Sequence, residues 1–545
     1  MKGLKFTKGD FFGGLTAGIV ALPLALAFGV QSGMGAAAGL YGAIFLGFFA
    51  AALGGTPSQI SGPTGPMTVI TSATVATMVA ASGNLETSLG AIVACFILAG
   101  ILQIVMGLVK LGTLIKYIPY PVISGFMSGI GVIIILLQFF PALGQAAPQR
   151  TIDVVKTVGP ALQNINMWAL LYSGLTIAII YTFPRITKAV PSTLVALLVV
   201  TLLSVVLDKD VPIIGDIPRG FPDLRLDTLT TISPDFYGLI LESALTLAAL
   251  GAIDSLLTSV VADNVTKTRH NSNQELIGQG VGNTVTGLFA GIPGAGATMR
   301  TLVNIRSGGR NRVSGIIHSL VLLFILLGAG AYAALIPKAV LAGILITVGI
   351  GILDYKGFRH INKVPRTDAA IMIIVLLVTV FLDLLIAVAI GMVMASILFM
   401  KKMSEIAEEK TKVSDVATVM EEAGSLEKIP DFLRGNVVVK HVEGPLFFGF
   451  ASGFQQRVSS LSKLKFVIIR MEKVPFIDQT GLYALEESVL ALEQKGIEVL
   501  LTGLQEQPEA RLRRINLIPD LVSEEHLFKT FDESIQWLAS REKVV

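Results

Sequence analysis

Cysteine is almost absent from this chain, and dense charge is missing too. Cys95 is the one cysteine in 545 residues, which excludes a disulfide framework and a thiolate metal centre. The five histidines are scattered and His318 alone falls in an apolar run, so no metal cluster or catalytic triad is supported. No enzymatic chemistry is expected. Charged residues make up 15% of the chain against 52% hydrophobic, with a mean hydropathy of +0.72, which excludes an ordinary soluble globular protein. The net charge of +3 decides little, because placement matters more than the sum, and no nucleic-acid partner is expected.

Apolar stretches long enough to cross a bilayer recur from about Phe11 to Met400, and the remainder returns to the charge density of a soluble domain. The expected organisation is a membrane domain over 1–400, a linker over 401–434 and a soluble domain over 435–545. The first apolar run contains Pro23 and no small-residue cleavage site, and reads as a retained helix. Hydropathy gives about fourteen spans, near 12–30, 36–53, 65–81, 88–109, 119–141, 166–183, 191–207, 237–262, 273–290, 298–305, 313–335, 339–353, 367–382 and 384–400. Basic residues gather at alternate connections, among them Lys110 and Lys116, Lys267 and Arg269, and Lys356 and Arg359. The positive-inside rule then puts both termini in the cytoplasm.

Two stretches interrupt the apolar pattern. "QISGPTGPMTVI" (59–70) and "GIPGAGATMRTLVN" (291–304) each place glycine and proline ahead of a short threonine-containing apolar segment, at matching places before spans three and ten. With seven spans per half, the second half enters the membrane inverted, which is the pointer to an inverted-repeat transporter with half-helices meeting at mid-membrane. The half-helix starting near Thr64 presents free N–H groups at a positive dipole end, which attracts anions.

Two ionisable residues fall deep in predicted spans. Asp254 lies mid-span, with the hydroxyl of Thr258 one turn along the same face. With the Gly296 carbonyl and the Thr298 hydroxyl, these oxygens suit a small hard cation. Arg300 falls in the first turn of the second half-helix, where its charge adds to the helix dipole in an anion pocket. The bland alternatives are that Asp254 caps or pairs inside the bundle, and that Arg300 snorkels or pairs with Asp254. "GQGVGNTVTG" (278–287) has no preceding strand and no following ribose-binding acid, so its glycines read as close helix packing and not as a dinucleotide loop.

"SGPTGPMTV", "NSNQELIGQGVGN" (271–283) and "NIRSGGR" (304–310) resemble the SulP family of anion transporters over nearly the whole length. The resemblance implies a 7+7 inverted repeat in which a core domain (spans one to four and eight to eleven) moves against a gate domain. It implies an anion bound between spans three and ten near Thr64, Gly65, Ala297, Thr298 and Arg300, with span one contributing Leu22 to Phe28. "GDFFGGLTAGIVALPLALAFGV" and "IDSLLTSVVAD" look most like the family's cyanobacterial bicarbonate carriers, which are sodium-coupled. Their sodium ligands carry over to Asp254, Thr258, Gly296 and Thr298, with sodium as coupling ion and no other cofactor. Arg300 departs from those carriers, which have a small residue there, while sulfate-transporting members commonly have arginine. Proton-coupled sulfate or dicarboxylate symport, an anion channel or exchanger, and a membrane sensor remain the alternatives.

In the tail, "NVVVKHV", "LFFGF", "KFVIIRM" and "IEVLLTG" read as buried strands alternating with helices near 452–463 and 480–495. "FIDQTGLYAL" (476–485) makes this α/β layout resemble a STAS domain, which implies a cytoplasmic homodimerising tail. Gln479 stands where relatives of this fold carry a phosphorylated serine, which excludes a phospho-switch there, and Thr480 reads as a helix N-cap. The expected location is the inner (plasma) membrane.

Overall fold

A computed structural model describes residues 7–148, 151–187, 190–215, 220–382, 384–410, 412–416, 419, 436–447 and 464–541. It divides into two units, Met1–Val393 and Met394–Val545.

The first unit is helical because its long Ala, Leu, Ile, Val and Gly runs bury apolar side chains while a helix bonds its interior backbone groups within its own segment. Its helices are α1 (Lys8–Gln31), α2 (Ala36–Leu53), α3 (Gly65–Ser82), α4 (Leu85–Leu108), α5 (Tyr120–Ala142), α6 (Thr151–Ala161), α7 (Met167–Thr182) and α8 (Ser192–Leu207). After a connection come α9 (Tyr237–Thr266), α10 (Ser272–Leu288), α11 (Thr298–Arg306), α12 (Arg312–Ala333), α13 (Lys338–Ile352), α14 (Tyr355–Arg359) and α15 (Arg366–Phe381), and the boundary between the units falls within α16 (Leu384–Lys410). Eight helices among the described residues are long and apolar enough to cross a membrane, and three shorter apolar ones accompany them. The short helices α6 and α14 occupy stretches read from the sequence as connections, since neither is an apolar run of spanning length.

Two groups of helices pack among themselves. In one, α10 lies against α2 and α4, α12 against α1 and α2, and α9 against α4; in the other, α5 lies against α13 and α15, and α7 against α13 and α8. Glycine sets the tightest contacts of the first group. A Cβ on Gly280 would meet the Gly100 carbonyl at 2.6 Å, and one on Gly278 would meet the Gly54 nitrogen at 2.4 Å, so α10 reaches its neighbours backbone to backbone. The helix-packing reading of 278–287 therefore holds.

Two strands of two residues interrupt the helices. β1 (Ser61–Gly62) pairs antiparallel with β2 (Ala295–Gly296), Ser61 opposite Gly296 and Gly62 opposite Ala295. The segments that the sequence marks as extended thus find their backbone partners in each other.

The second unit is built on five strands, β3 (Lys412–Asp415), β4 (Val437–Glu443), β5 (Phe466–Lys473), β6 (Glu498–Thr502) and β7 (Leu527–Phe528), in that spatial order. β3 runs antiparallel to β4, and the remaining pairs are parallel. Three α-helices follow among the described residues, α17 (Gln479–Glu493), α18 (Glu506–Arg514) and α19 (Phe531–Arg541). Alternation along β5 separates two apolar faces: Val467, Ile469 and Met471 pack with Leu485 and Val489 of α17, while Ile468 packs with Phe531 and Leu538 of α19.

Two expectations for this region change. The charged stretch 401–434, read as linker, contains the end of α16 and the edge strand β3, because pairing with β4 supplies the order that composition alone does not. The cap of α17 is Asp478, whose Oδ1 accepts from the Gly481 N–H at 2.7 Å, so Thr480 lies inside the first turn and is not the cap. The helix expected at 452–463 lies outside the described residues, as does most of "LFFGF".

Candidate functional site

The β1–β2 pair brings together the amino ends of α3 and α11. Thr64 is the N-cap of α3 and Ala297 that of α11, and neither end has a side-chain cap. The Thr64 hydroxyl, the group that would ordinarily cap α3, donates instead to Asp254 Oδ2 at 2.7 Å. Ala297 has no hydroxyl, and its N–H donates to the Ile60 carbonyl at 2.8 Å. The first-turn N–H groups of both helices are left at two positive dipole ends, which is the chemistry of an anion site.

Of the four oxygens picked out for a cation, those of Thr258, Gly296 and Thr298 come together across α9, β2 and α11. Thr258 on α9, fully buried, donates its hydroxyl to the Gly296 carbonyl at 2.9 Å and lies 2.7 Å from the Thr298 hydroxyl. One turn earlier, Asp254 is 6% exposed and holds Thr64. Ser255, between them, accepts from the Gly296 N–H at 3.1 Å. Helix α9 therefore touches both half-helix starts with neighbouring turns: the carboxylate reaches α3, and the hydroxyl of Thr258 reaches β2 and α11.

Arg300 is 2% exposed, which excludes snorkelling. Its Nη2 donates to the Pro63 carbonyl, and Nη1 is buried without a partner, 2.7 Å from where a Cβ on Gly62 would lie. Asp254 and Arg300 form no ion pair within 4.0 Å among the described residues. The guanidinium thus lies on the backbone between β1 and α3, a placement the sequence reading did not foresee. It braces the start of one half-helix from the other while keeping one arm free. Met299, next to it, is 69% exposed, so the start of α11 presents one buried and one open side.

Other predicted residues divide. Phe28 and Gly65 meet: a Cβ on Gly65 would lie 4.0 Å from the Phe28 ring and 2.7 Å from Ile134 Cδ1 of α5, so only a bare backbone fits. Leu22 stands apart, lining an apolar cavity of about 310 Å³ with leucines of α8 and Leu326 of α12, because it lies on another face of α1.

Sequence reasoning missed the residues that hold the two half-helix starts in place. Glu275, Gln279 and Asn283 of α10 recur every four residues and form one buried polar stripe. Glu275 Oε2 accepts from the N–H groups of Gly55 and Thr56, both at 2.8 Å, and Oε1 accepts from the amides of Gln59 and Gln279 at 2.8 Å each. Gln279 also donates to the Ser61 hydroxyl at 2.6 Å. Asn283 accepts from the Gly294 N–H at 2.9 Å and donates to its carbonyl at 3.0 Å. Gln59 links this stripe to α9 by accepting from Ser259 at 3.0 Å. The four-residue spacing of polar side chains inside an apolar span was the available signal.

Known proteins share this architecture. A model described as the sulfate permease family matches residues 7–375. The chain belongs to the sulfate permease family. A STAS domain model matches residues 431–534 of this permease. The permease is 41% identical over 535 residues to "Bicarbonate transporter BicA" of Picosynechococcus sp., covering 96% of this chain and 94% of that one. It is 31% identical to "Putative sulfate transporter YvdB" of Bacillus subtilis, covering 97% of both. Among solved structures, the transmembrane domain of a cyanobacterial BicA is similar at 46% identity and a TM-score of 0.65, covering 70% of this chain and 97% of that one. Murine Solute Carrier 26 family member A9 shares the fold along the full permease, with a TM-score of 0.84 at 19% identity, covering 99% of this chain and 92% of that one. The permease is a multi-pass membrane transporter with a STAS tail, and the resemblance carried by its separated motifs holds.

Proposed function

We propose that this permease is a secondary active importer of a small inorganic oxyanion, bicarbonate first and sulfate second, coupled to sodium. The observation that carries this reading is the contact of α9 with both half-helix starts, through Asp254–Thr64 and Thr258–Gly296–Thr298. The coupling follows from charge. An unneutralised Asp254 beside the start of α3 opposes the anion that two dipole ends attract, and sodium on the Asp254, Thr258, Gly296 and Thr298 oxygens removes that opposition. Anion and cation then favour each other at one place.

The helix order and the paired interruptions support fourteen spans in a 7+7 inverted repeat. The group containing α1–α4 and α9–α12 acts as the core domain, sliding in an elevator-like cycle against a gate containing α5, α7, α13 and α15. Both termini face the cytoplasm across the inner (plasma) membrane, and the STAS tails join two copies. Uptake of labelled bicarbonate, sulfate and succinate into proteoliposomes, each with and without sodium, tests the reading. Sodium-independent uptake of every anion would sink it, and light scattering from a monomer in mild detergent would sink the dimer.

One observation favours a second reading. Arg300 puts a permanent cation at the start of α11, which suits a doubly charged oxyanion, and a proton on Asp254 neutralises that carboxylate as sodium does. Sulfate or dicarboxylate uptake driven by a pH gradient alone would select it.

A further inference from the structure

Between the two helix groups, at the end where α1, α3 and α5 finish and α13 starts, lies a cavity of about 410 Å³. Gln31 of α1, Ser72 and Ala76 of α3, Gln138 of α5 and Lys338 of α13 line it. Its chemistry is one-sided. Lys338, exposed at the rim, is the one ionisable side chain among the described residues that line it, and none of those residues is a carboxylate.

Two amides point to a polar occupant. Gln138 is 5% exposed and makes no hydrogen bond to a described residue, and both side-chain polar atoms of Gln31 are buried without a partner. A buried amide without a protein partner is unfavourable, so the lining favours an occupant that pairs with it. Amide donors, a cation and no acid select an anion. The amino end of α13, which has no side-chain cap, adds a partial positive charge on the same side as Lys338.

The cavity also adjoins the half-helix site. Its lining residues Ala27 and Leu137 come directly before Phe28 and one turn after Ile134, and those two side chains cover Gly65 at the start of α3. An apolar layer separates the two spaces.

We propose that this cavity is an outer station for the transported oxyanion, held by Lys338, Gln138 and Gln31 before it passes the Phe28–Ile134 layer to the helix ends. The proposal rests on the anion-carrier reading and on the orientation given above, in which this end faces away from the cytoplasm.

The test uses the full chain in right-side-out vesicles. Lys338→Gln is expected to raise the KM for external bicarbonate about 3- to 10-fold at low ionic strength, with kcat within about twofold. Added salt should shrink the effect, sodium activation at saturating bicarbonate should stay unchanged, and Lys338→Arg should behave as the parent. A KM within about twofold of the parent in both Lys338→Gln and Gln138→Leu overturns the proposal.

A second arm needs no transport. Cys95 is buried, so Ala76→Cys supplies a thiol in the cavity against a silent background. An anionic membrane-impermeant thiol reagent added outside should label it faster than a cationic one. Sulfate or bicarbonate should slow the labelling, and Lys338→Gln should erase the preference. Equal rates for the two reagents, or labelling from the cytoplasmic side alone, overturn the station. If the parent transports no oxyanion but the labelling preference stands, the function reading fails and the site does not.

Discussion

Where α3 begins, the chain supplies N–H groups, a threonine hydroxyl and no charge of its own; where α11 begins, it supplies N–H groups, a bare alanine cap and an arginine three residues on. The loops leading in differ as well. The loop before α3 is gripped by the Glu275 carboxylate, and the loop before α11 by the neutral amide of Asn283. Even the link to α9 is unequal, a carboxylate to α3 and a hydroxyl to α11. Two backbones arranged as counterparts therefore differ in the charged groups that reach them. The Asp254 carboxylate and the Arg300 guanidinium both reach the start of α3, one from α9 and the other from α11.

The largest effect is expected where the negative group is removed. Asp254→Asn keeps an acceptor for Thr64 but loses the charge, and sodium half-saturation should rise by tenfold or more on the scale of a lost charged hydrogen bond (about 1.5–3 kcal/mol). Unchanged sodium activation in uptake assays would detach Asp254 from the cation. Next comes the positive group. Arg300→Gly makes the two helix starts alike in having no cation, and sulfate uptake should fall roughly tenfold more than bicarbonate uptake, because a doubly charged anion gains more from a nearby cation. Arg300→Lys should repair charge but not the hold on the Pro63 carbonyl. Equal loss for all anions would make the arginine a brace and nothing more.

Glu275→Gln tests the grip on the loop before α3. It replaces an acceptor of four hydrogen bonds with an amide that must turn a donor toward donors, costing about 1–3 kcal/mol. The detergent-solubilised protein should melt several degrees lower, and an unchanged melting temperature would mean that the carboxylate does not hold this loop. The smallest effect is expected from Ala297→Ser, which gives α11 the cap hydroxyl it lacks and occupies an N–H otherwise free for the anion. Anion KM should rise about two- to threefold with kcat unchanged, and a lower KM would mean that these N–H groups do not serve the anion.

Much of this was legible in the residues. The broken segments, Asp254 and Thr258 stood out because glycine, proline and charge are conspicuous inside apolar runs. The direction of the Arg300 guanidinium was not legible, since it depends on Gly62 leaving room across the β1–β2 pair, which is a contact across more than two hundred residues. Leu22 and Phe28 looked equivalent along one helix and separate only when the neighbours of each face are known. Glu275 and Asn283 hid among glycines whose packing role masks the polar stripe. The strand β3 was invisible because a charged edge strand has no apolar alternation to reveal it.

The β1–β2 pair also has a consequence for how the protein is made. Ser61 and Gly62 leave the ribosome more than two hundred residues before Ala295 and Gly296, their hydrogen-bonding partners. At translation rates of about 5–20 residues per second, that interval is roughly ten to fifty seconds. Throughout it the edge that β1 offers has no β2 to pair with, and a bare backbone edge is costly wherever water is excluded. The halves cannot mature one after the other. The β1–β2 ladder closes only once residues 295 and 296 have been made.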